Sequence, residues 1–543
     1  MSSQPSETLS NEPDLTVDPP QTVWGILSNL GPGLIIAGAI VGSGELIATT
    51  KTGAEAGFTL LWLIVIGCLI KVFVQVEMGR YCIVTGNTSM TGMNEVPGPR
   101  FHVNWLMWYW LAMFVMGLAQ LGGIVGGVGQ ALAISYPVTQ QGEDYNLLAD
   151  AEVHIRETKA KLQGENLPPL LGLEEELQQH QAEFQQQLVH YIDHYEPTLT
   201  LETFQNDLLT LNDLTSPYDS FIWATIVAVC TSLLLLRGRY NLVQDFSTAL
   251  VAAFTGMTII NLIAIQSHHR WAISSTEFWS GFLFQLPNNS SGMSGWEPVV
   301  TALATFGIIG VGSTELISYP YWCLEKGYAR FIGPRDDSKE WGERAKGWLR
   351  VLRWDAFCSM VIYTLATIAF FLLGAAVLSR EGLNPEGNQM IRMLGEMYVP
   401  GFGAMARTLF LFGAFAVLYS TFFVASAGHA RVGADALIIF KIIEKDEEKR
   451  WRWIWIFSAL FPFVCLGIYC FVQAPAYLVL ASGVMQAIML PMLGLATLYF
   501  RYYRCDPRIA PGKSWDFFLW LSVVGLLFAG LSLVGIKLMD LFA

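Results

Sequence analysis

Val41-Gly42-Ser43-Gly44-Glu45-Leu46-Ile47 recurs as Val311-Gly312-Ser313-Thr314-Glu315-Leu316-Ile317, identical at six of seven positions. Each copy sits in the middle of a long apolar run. Glycine costs about 1 kcal/mol in a helix interior. The first copy holds two, with Gly38 before it, and Gly307 and Gly310 precede the second. The pattern predicts two helices broken at mid-membrane depth, where freed carbonyls are tolerated only if they line a cavity or meet a ligand. A carboxylate then opens each second half-helix, where the helix dipole favours its ionised form. Two such acids cost several kcal/mol each without a partner. A divalent cation between them brings the local charge to zero; protons, an organic ammonium or a fixed lysine are the alternatives. The candidate binding residues are therefore Gly42, Ser43, Glu45, Ser313, Thr314 and Glu315. Lys71 is the candidate counter-ion, read first as a structural ion pair.

Outward from the repeat, eleven segments are apolar enough to span a bilayer: 28–54, 58–83, 104–136, 218–236, 243–265, 297–325, 355–379, 401–427, 453–472, 474–500 and 515–540. The two copies fall in spans one and six, so each half holds five spans. An odd number inserts the halves in opposite orientations, the inverted repeat of many secondary transporters. With the N-terminus inside, inner loops carry 22 Lys and Arg, including Lys326 to Arg353 and Arg431 to Arg452, against eight outside. That bias fixes the orientation.

The whole chain fits a membrane protein. Hydrophobic residues make up 53% and charged residues 14% of 543, well under the usual charged fraction of about 25%. The net charge of −13 argues against nucleic acid as a partner. Most of the acidity lies in residues 140–216, with 15 acidic and three basic residues. This segment reads as an extracytoplasmic helical insertion between spans three (ending by 139) and four (217–543 carrying spans four to eleven). Its His154, His180, His190 and His194 suggest metal, but His190 and His194 at i, i+4 supply only two ligands. A solvated hairpin is the simpler reading. Residues 1–22 read as a disordered cytoplasmic tail without a signal sequence. The eight cysteines follow no metal or disulfide spacing and read as packing residues. No nucleotide-binding loop, catalytic constellation or cofactor motif emerges, so the chain is not read as an enzyme; its oligomeric state is left open.

Further motifs carry a family resemblance. They are Gly31-Pro32, Gly57-Phe58-Thr59-Leu60-Leu61-Trp62, Val84-Thr85-Gly86, Gly307-Ile308-Ile309-Gly310, Arg353 with Asp355, Ser420-Thr421 followed by Ala427-Gly428, and Leu490-Pro491. In this order and spacing the chain resembles the Nramp family of divalent metal-ion transporters. The resemblance implies an all-α integral membrane protein, a LeuT-like 5+5 inverted repeat with helices one and six broken. It also shows departures. The family's Asp-Pro-Gly-Asn falls on Gly42-Ser43-Gly44-Glu45 and its Met-Pro-His on Thr314-Glu315-Leu316. The acids that the family uses for proton transfer fall on Gln120 and Gly123, and a glutamine of span ten falls on Gly483. Without the methionine, an oxygen-only site suits hard cations such as Mg²⁺ or Mn²⁺. In these departures the chain is similar to the Nramp-related magnesium transporters. The expectation is a multi-pass transporter of a divalent cation in the cell membrane, working by alternating access. A cationic amine carrier with Tyr319, Tyr419 and Gln486 around a larger pocket, or a non-transporting sensor with an acidic outer domain, are the alternatives.

Overall fold

The structure is a computed structural model that describes residues 16–162, 171–196, 199–201, 211, 214–237, 240–287 and 296–542. Among them, 11 helices are long and apolar enough to cross a membrane. They are Pro32–Ala56, Leu61–Thr85, Trp105–Ser135, Asp219–Leu236, Thr248–Ser267, Glu297–Lys326, Lys339–Glu381, Ala406–Ile439, Glu447–Phe471, Pro475–Arg504 and Lys513–Met539, here spans one to eleven. Burial sorts them. The apolar windows of spans one and six are 94% and 89% buried, against 33–39% for spans four, five, nine and eleven. The repeat-bearing spans are thus the centre, and the latter four present their apolar faces to lipid. A two-residue-per-strand hairpin, Arg100–Phe101 against Val103–Asn104, precedes span three.

Span one begins on Pro32, whose missing N–H and fixed φ suit a first helical position. Asp355 of span seven closes this end: Oδ1 accepts from the Gly31 amide at 2.9 Å and Oδ2 from the Gly33 amide at 2.6 Å. Tyr319 of span six donates to the same Oδ2 at 3.0 Å. One carboxylate therefore ties the inner ends of spans one, six and seven at a helix N-terminus, where negative charge is favoured. Asp355→Asn replaces an accepting oxygen with an amide facing N–H donors. It is expected to cost about 3 kcal/mol and to lower the melting temperature of the purified protein; an unchanged melt would refute the role of the clasp.

The sequence expected span one to break at Gly42–Glu45. The structure instead keeps it continuous, with Val41–Thr49 wound as a π-helix. The wide turn reuses the carbonyls that a break would have freed. Threonine hydroxyls reinforce it: Thr49 Oγ1 donates to the Gly44 carbonyl at 2.9 Å, five residues back. The glycines serve contact instead. A Cβ on Gly42 would lie 2.4 Å from Thr421 Oγ1 of span eight. Span six does break, between Glu297–Ile308 and Ser313–Lys326. Gly310 there has φ +60° and abuts Cys68, with 3.0 Å between its would-be Cβ and the Cys68 Cα. Both facts require glycine.

The insertion forms two helices, Gln140–Leu162 and Leu171–Tyr195. Buried Leu148, Leu188, Tyr191 and Ile192 hold them together. Asp150 pairs with Arg392 and Arg407, docking the insertion on the loop before span eight and the start of that span. His194 Nδ1 donates to the His190 carbonyl at 2.9 Å. Among the described residues no three His, Cys, Asp or Glu are grouped to hold a metal. Residues 1–15 of the expected disordered tail lie outside the described residues, but 16–22 are ordered. The Val17 amide donates to the Phe331 carbonyl at 3.0 Å and Trp348 Nε1 to the Val17 carbonyl at 2.8 Å. A backbone with such partners has a reason to stay put that composition does not reveal.

Candidate functional site around the span-six break

The break leaves carbonyls at the end of its first half-helix. Lys71 of span two takes them: Nζ donates to the Phe306 carbonyl and, at 2.8 Å, to the Ile309 carbonyl. It also stands 4.7 Å from the centroid of the Phe306 ring. Lys71 has no carboxylate partner among the described ion pairs. The expected ion pair is therefore replaced by a cationic C-cap on a half-helix, where positive charge is favoured.

Glu45 and Glu315 flank the break from two sides. Glu45 is fully buried. Its Oε1 accepts from Thr367 Oγ1 of span seven at 2.9 Å, and the Gly310 amide of the break faces its carboxylate. Its Oε2 is buried without a hydrogen-bond partner among the described residues. Glu315 lies in the first turn of the second half-helix and is 7% exposed. It lines a small cavity of about 20 Å³ walled by spans one, three, six and eight. Every wall residue of spans three, six and eight lies in the inner half of its span, so the cavity is on the cytoplasmic side of the break. Glu45 is not on that wall.

The two serines hold glutamines. Gln120 of span three donates to Ser43 Oγ at 3.0 Å. Its Oε1 accepts from Ser482 at 2.9 Å and from Gln486 Nε2 at 2.8 Å, both in span ten. Gln486 Oε1 accepts from the Thr314 amide at 3.2 Å, and its carbonyl accepts from Ser313 Oγ at 2.7 Å. This chain of amides connects the two copies of the repeat through spans three and ten. Gly42 plays a different part, donating its amide to Thr421 Oγ1 at 3.0 Å. Thr314 Oγ1 is buried without a hydrogen-bond partner among the described residues.

Three oxygens converge over Gly312. A Cβ placed there would lie 2.5 Å from Glu315 Oε2, 2.8 Å from Gln486 Oε1 and 3.1 Å from the Gly307 carbonyl. Only a residue without a side chain leaves that space to the oxygens. Of these, the repeat singled out Glu315 as a candidate ligand. Gln486 was named only as a pocket residue of the amine-carrier alternative, because one amide in an apolar helix has no periodic signal.

The Nramp family model (Natural resistance-associated macrophage protein-like) matches residues 33–140 and 208–535. The chain belongs to the Nramp family. Two crystal structures of the Eremococcus coleocola manganese transporter share its fold. A point mutant superposes with TM-score 0.57 at 13% identity, covering 97% of this chain and 90% of that one. The complex with an aromatic bis-isothiourea substituted compound gives TM-score 0.56 at 15% identity, covering 99% and 92%. A search of curated proteins finds no match. As an Nramp protein the chain is a multi-pass membrane transporter of divalent metal ions, and its architecture is the LeuT-like inverted repeat. Within this family it keeps the break in span six and replaces the break in span one by a π-turn.

Proposed function

We propose that this Nramp protein carries a hard or borderline divalent cation, Mg²⁺ or Mn²⁺, by alternating access, and that the ion binds at the span-six break. The convergence of Glu315 Oε2, Gln486 Oε1 and the Gly307 carbonyl over Gly312 carries the reading. The Thr314 hydroxyl, two residues on and buried without a partner, is the candidate fourth oxygen. Glu45 supplies the second negative charge from behind the break, so that the two carboxylates together balance a divalent ion. Ser43 and Ser313 act as positioning residues for Gln120 and Gln486, and Gly42 as the contact with span eight. The donor set is oxygen throughout. Such a set discriminates poorly for soft metals and suits ions that accept carboxylate, amide and carbonyl ligands. The shared fold of the manganese transporters is consistent with Mn²⁺ as one cargo.

Isothermal titration of the purified protein with Mg²⁺, Mn²⁺ and Ca²⁺ tests the site. Wild type is expected to bind at least one of them, and Glu45→Gln/Glu315→Gln to bind none. Binding unchanged in the double variant removes both carboxylates from the site.

A further inference from the structure

Span eight was expected to end near 427, two residues short of His429. The helix instead runs on to Ile439, and His429 is 4% exposed on the wall of the cavity that holds Glu315. Its two ring nitrogens are in different situations. Nδ1 stands 2.8 Å from the Ala425 carbonyl. A carbonyl only accepts, so Nδ1 carries the hydrogen, and in the neutral ring the lone pair is on Nε2. Nε2 is buried without a hydrogen-bond partner among the described residues. It faces Gly117 of span three, where a Cβ would come within 2.6 Å of it. A side chain at 117 would collide with the nitrogen.

The depth of His429 follows from its neighbour. A Cβ on Gly428 would lie 3.6 Å from Ser318 Cβ. Ser318 is three residues beyond Glu315, so His429 lies about one turn, roughly 5 Å, nearer the cytoplasm. An imidazole whose Nδ1–H is held by a backbone carbonyl, with a free Nε2 lone pair, is the arrangement in which histidine binds metals.

We infer that His429 Nε2 is a second station for the cation, one turn inward of Glu315 on the cytoplasmic path. This rests on the reading of Glu315 as the first station. The ion passes from an all-oxygen site to one that adds a nitrogen ligand, with the Ser318 hydroxyl on the same wall. Nitrogen is a poor ligand for Mg²⁺ and Ca²⁺ and a good one for first-row transition ions. An ion that satisfies both stations is Mn²⁺, so the pair narrows the cargo.

The test uses full-length wild type, His429→Gln and Glu315→Gln. Pulsed EPR of the Mn²⁺-loaded protein is expected to show ¹⁴N coupling of an imidazole in wild type and none in His429→Gln. In proteoliposomes, His429→Gln is expected to lower Mn²⁺ uptake about tenfold or more while changing Mg²⁺ uptake less than about twofold. Gln keeps bulk and polarity, so a folding defect would instead lower both fluxes together. Equal loss of both, no loss of either, or nitrogen coupling that is absent in wild type or survives in His429→Gln overturns the inference. If Glu315→Gln binds Mn²⁺ as wild type does while the coupling still depends on His429, the Glu315 site fails and the imidazole station stands.

Discussion

Glu315→Gln is expected to lower divalent-cation uptake by about two orders of magnitude. The size follows from charge. In the proposed site, two carboxylates at mid-membrane depth balance the charge of a dication. With one removed, a net positive charge remains at a depth where an uncompensated charge costs about 2.5–3.5 kcal/mol, a factor of about 10² in binding. Gln is isosteric and keeps an oxygen, so the change isolates charge from shape. Glu315 is the more exposed of the two acids and the one on the cavity wall. Glu45→Gln is expected to weaken binding less, about tenfold, because its carboxylate is engaged by Thr367 and acts from behind the break. Metal stabilisation gives an independent reading. At 100 times the dissociation constant a ligand raises stability by about 2.7 kcal/mol. Wild type should therefore melt higher with Mg²⁺, which the imidazole station does not favour, and Glu315→Gln should lose most of that shift. A metal-dependent shift retained in Glu315→Gln would show that the ion does not use this carboxylate.

The repeated heptapeptide led to the centre of the molecule because backbone breaks and buried acids are both expensive, and expense leaves a trace in composition. Hydropathy placed all eleven spans for the same reason. What stayed hidden was set by neighbours. Glycine pairs in spans one and six looked alike, yet Gly42 and Gly44 lie against span eight and the Ile308 carbonyl and stay wound, whereas Gly310 has a positive φ and ends a helix. Lys71 looked like an ion-pair partner because the sequence does not show which freed carbonyls a span-two side chain reaches. His429 fell beyond the expected end of span eight at 427, and Arg431 and Asp435 follow it. Both are buried with partners: Arg431 reaches Glu325 at 2.5 Å, and Tyr321 donates to Asp435 at 2.6 Å. Polar residues satisfied by other helices extend a span past the point where hydropathy would end it.

Gly483→Gln restores the residue that the Nramp family places in span ten, and it is expected to damage this protein. Spans six and ten touch through their backbones here. A Cβ on Gly483 would lie 2.5 Å from the Ala304 carbonyl oxygen, and a Cβ on Gly307 would lie 2.2 Å from the Gly483 carbonyl oxygen. Neither contact is with a movable side-chain end, so relief requires the first half of span six to shift. Overpacking of this kind costs about 1–3 kcal/mol or more, and the shift would also move the Gly307 carbonyl away from Gly312. Gly483→Gln should lower the melting temperature by several degrees and abolish metal-induced stabilisation. The amide that family members carry at this position has a substitute in Gln486, one turn along, which already holds Gln120 and the Thr314 amide. Gln486→Ala keeps the backbone contact and removes the amide oxygen proposed as a ligand. It is expected to leave the helices packed but to weaken cation binding about tenfold, the value of about 1.5 kcal/mol for one polar contact to a charge. If Gly483→Gln melts like wild type and binds metal, the close approach of spans six and ten is not what holds the site. If Gln486→Ala binds metal as wild type does, the amide has no part in the coordination. The two variants separate the packing that shapes the break from the oxygen that fills it.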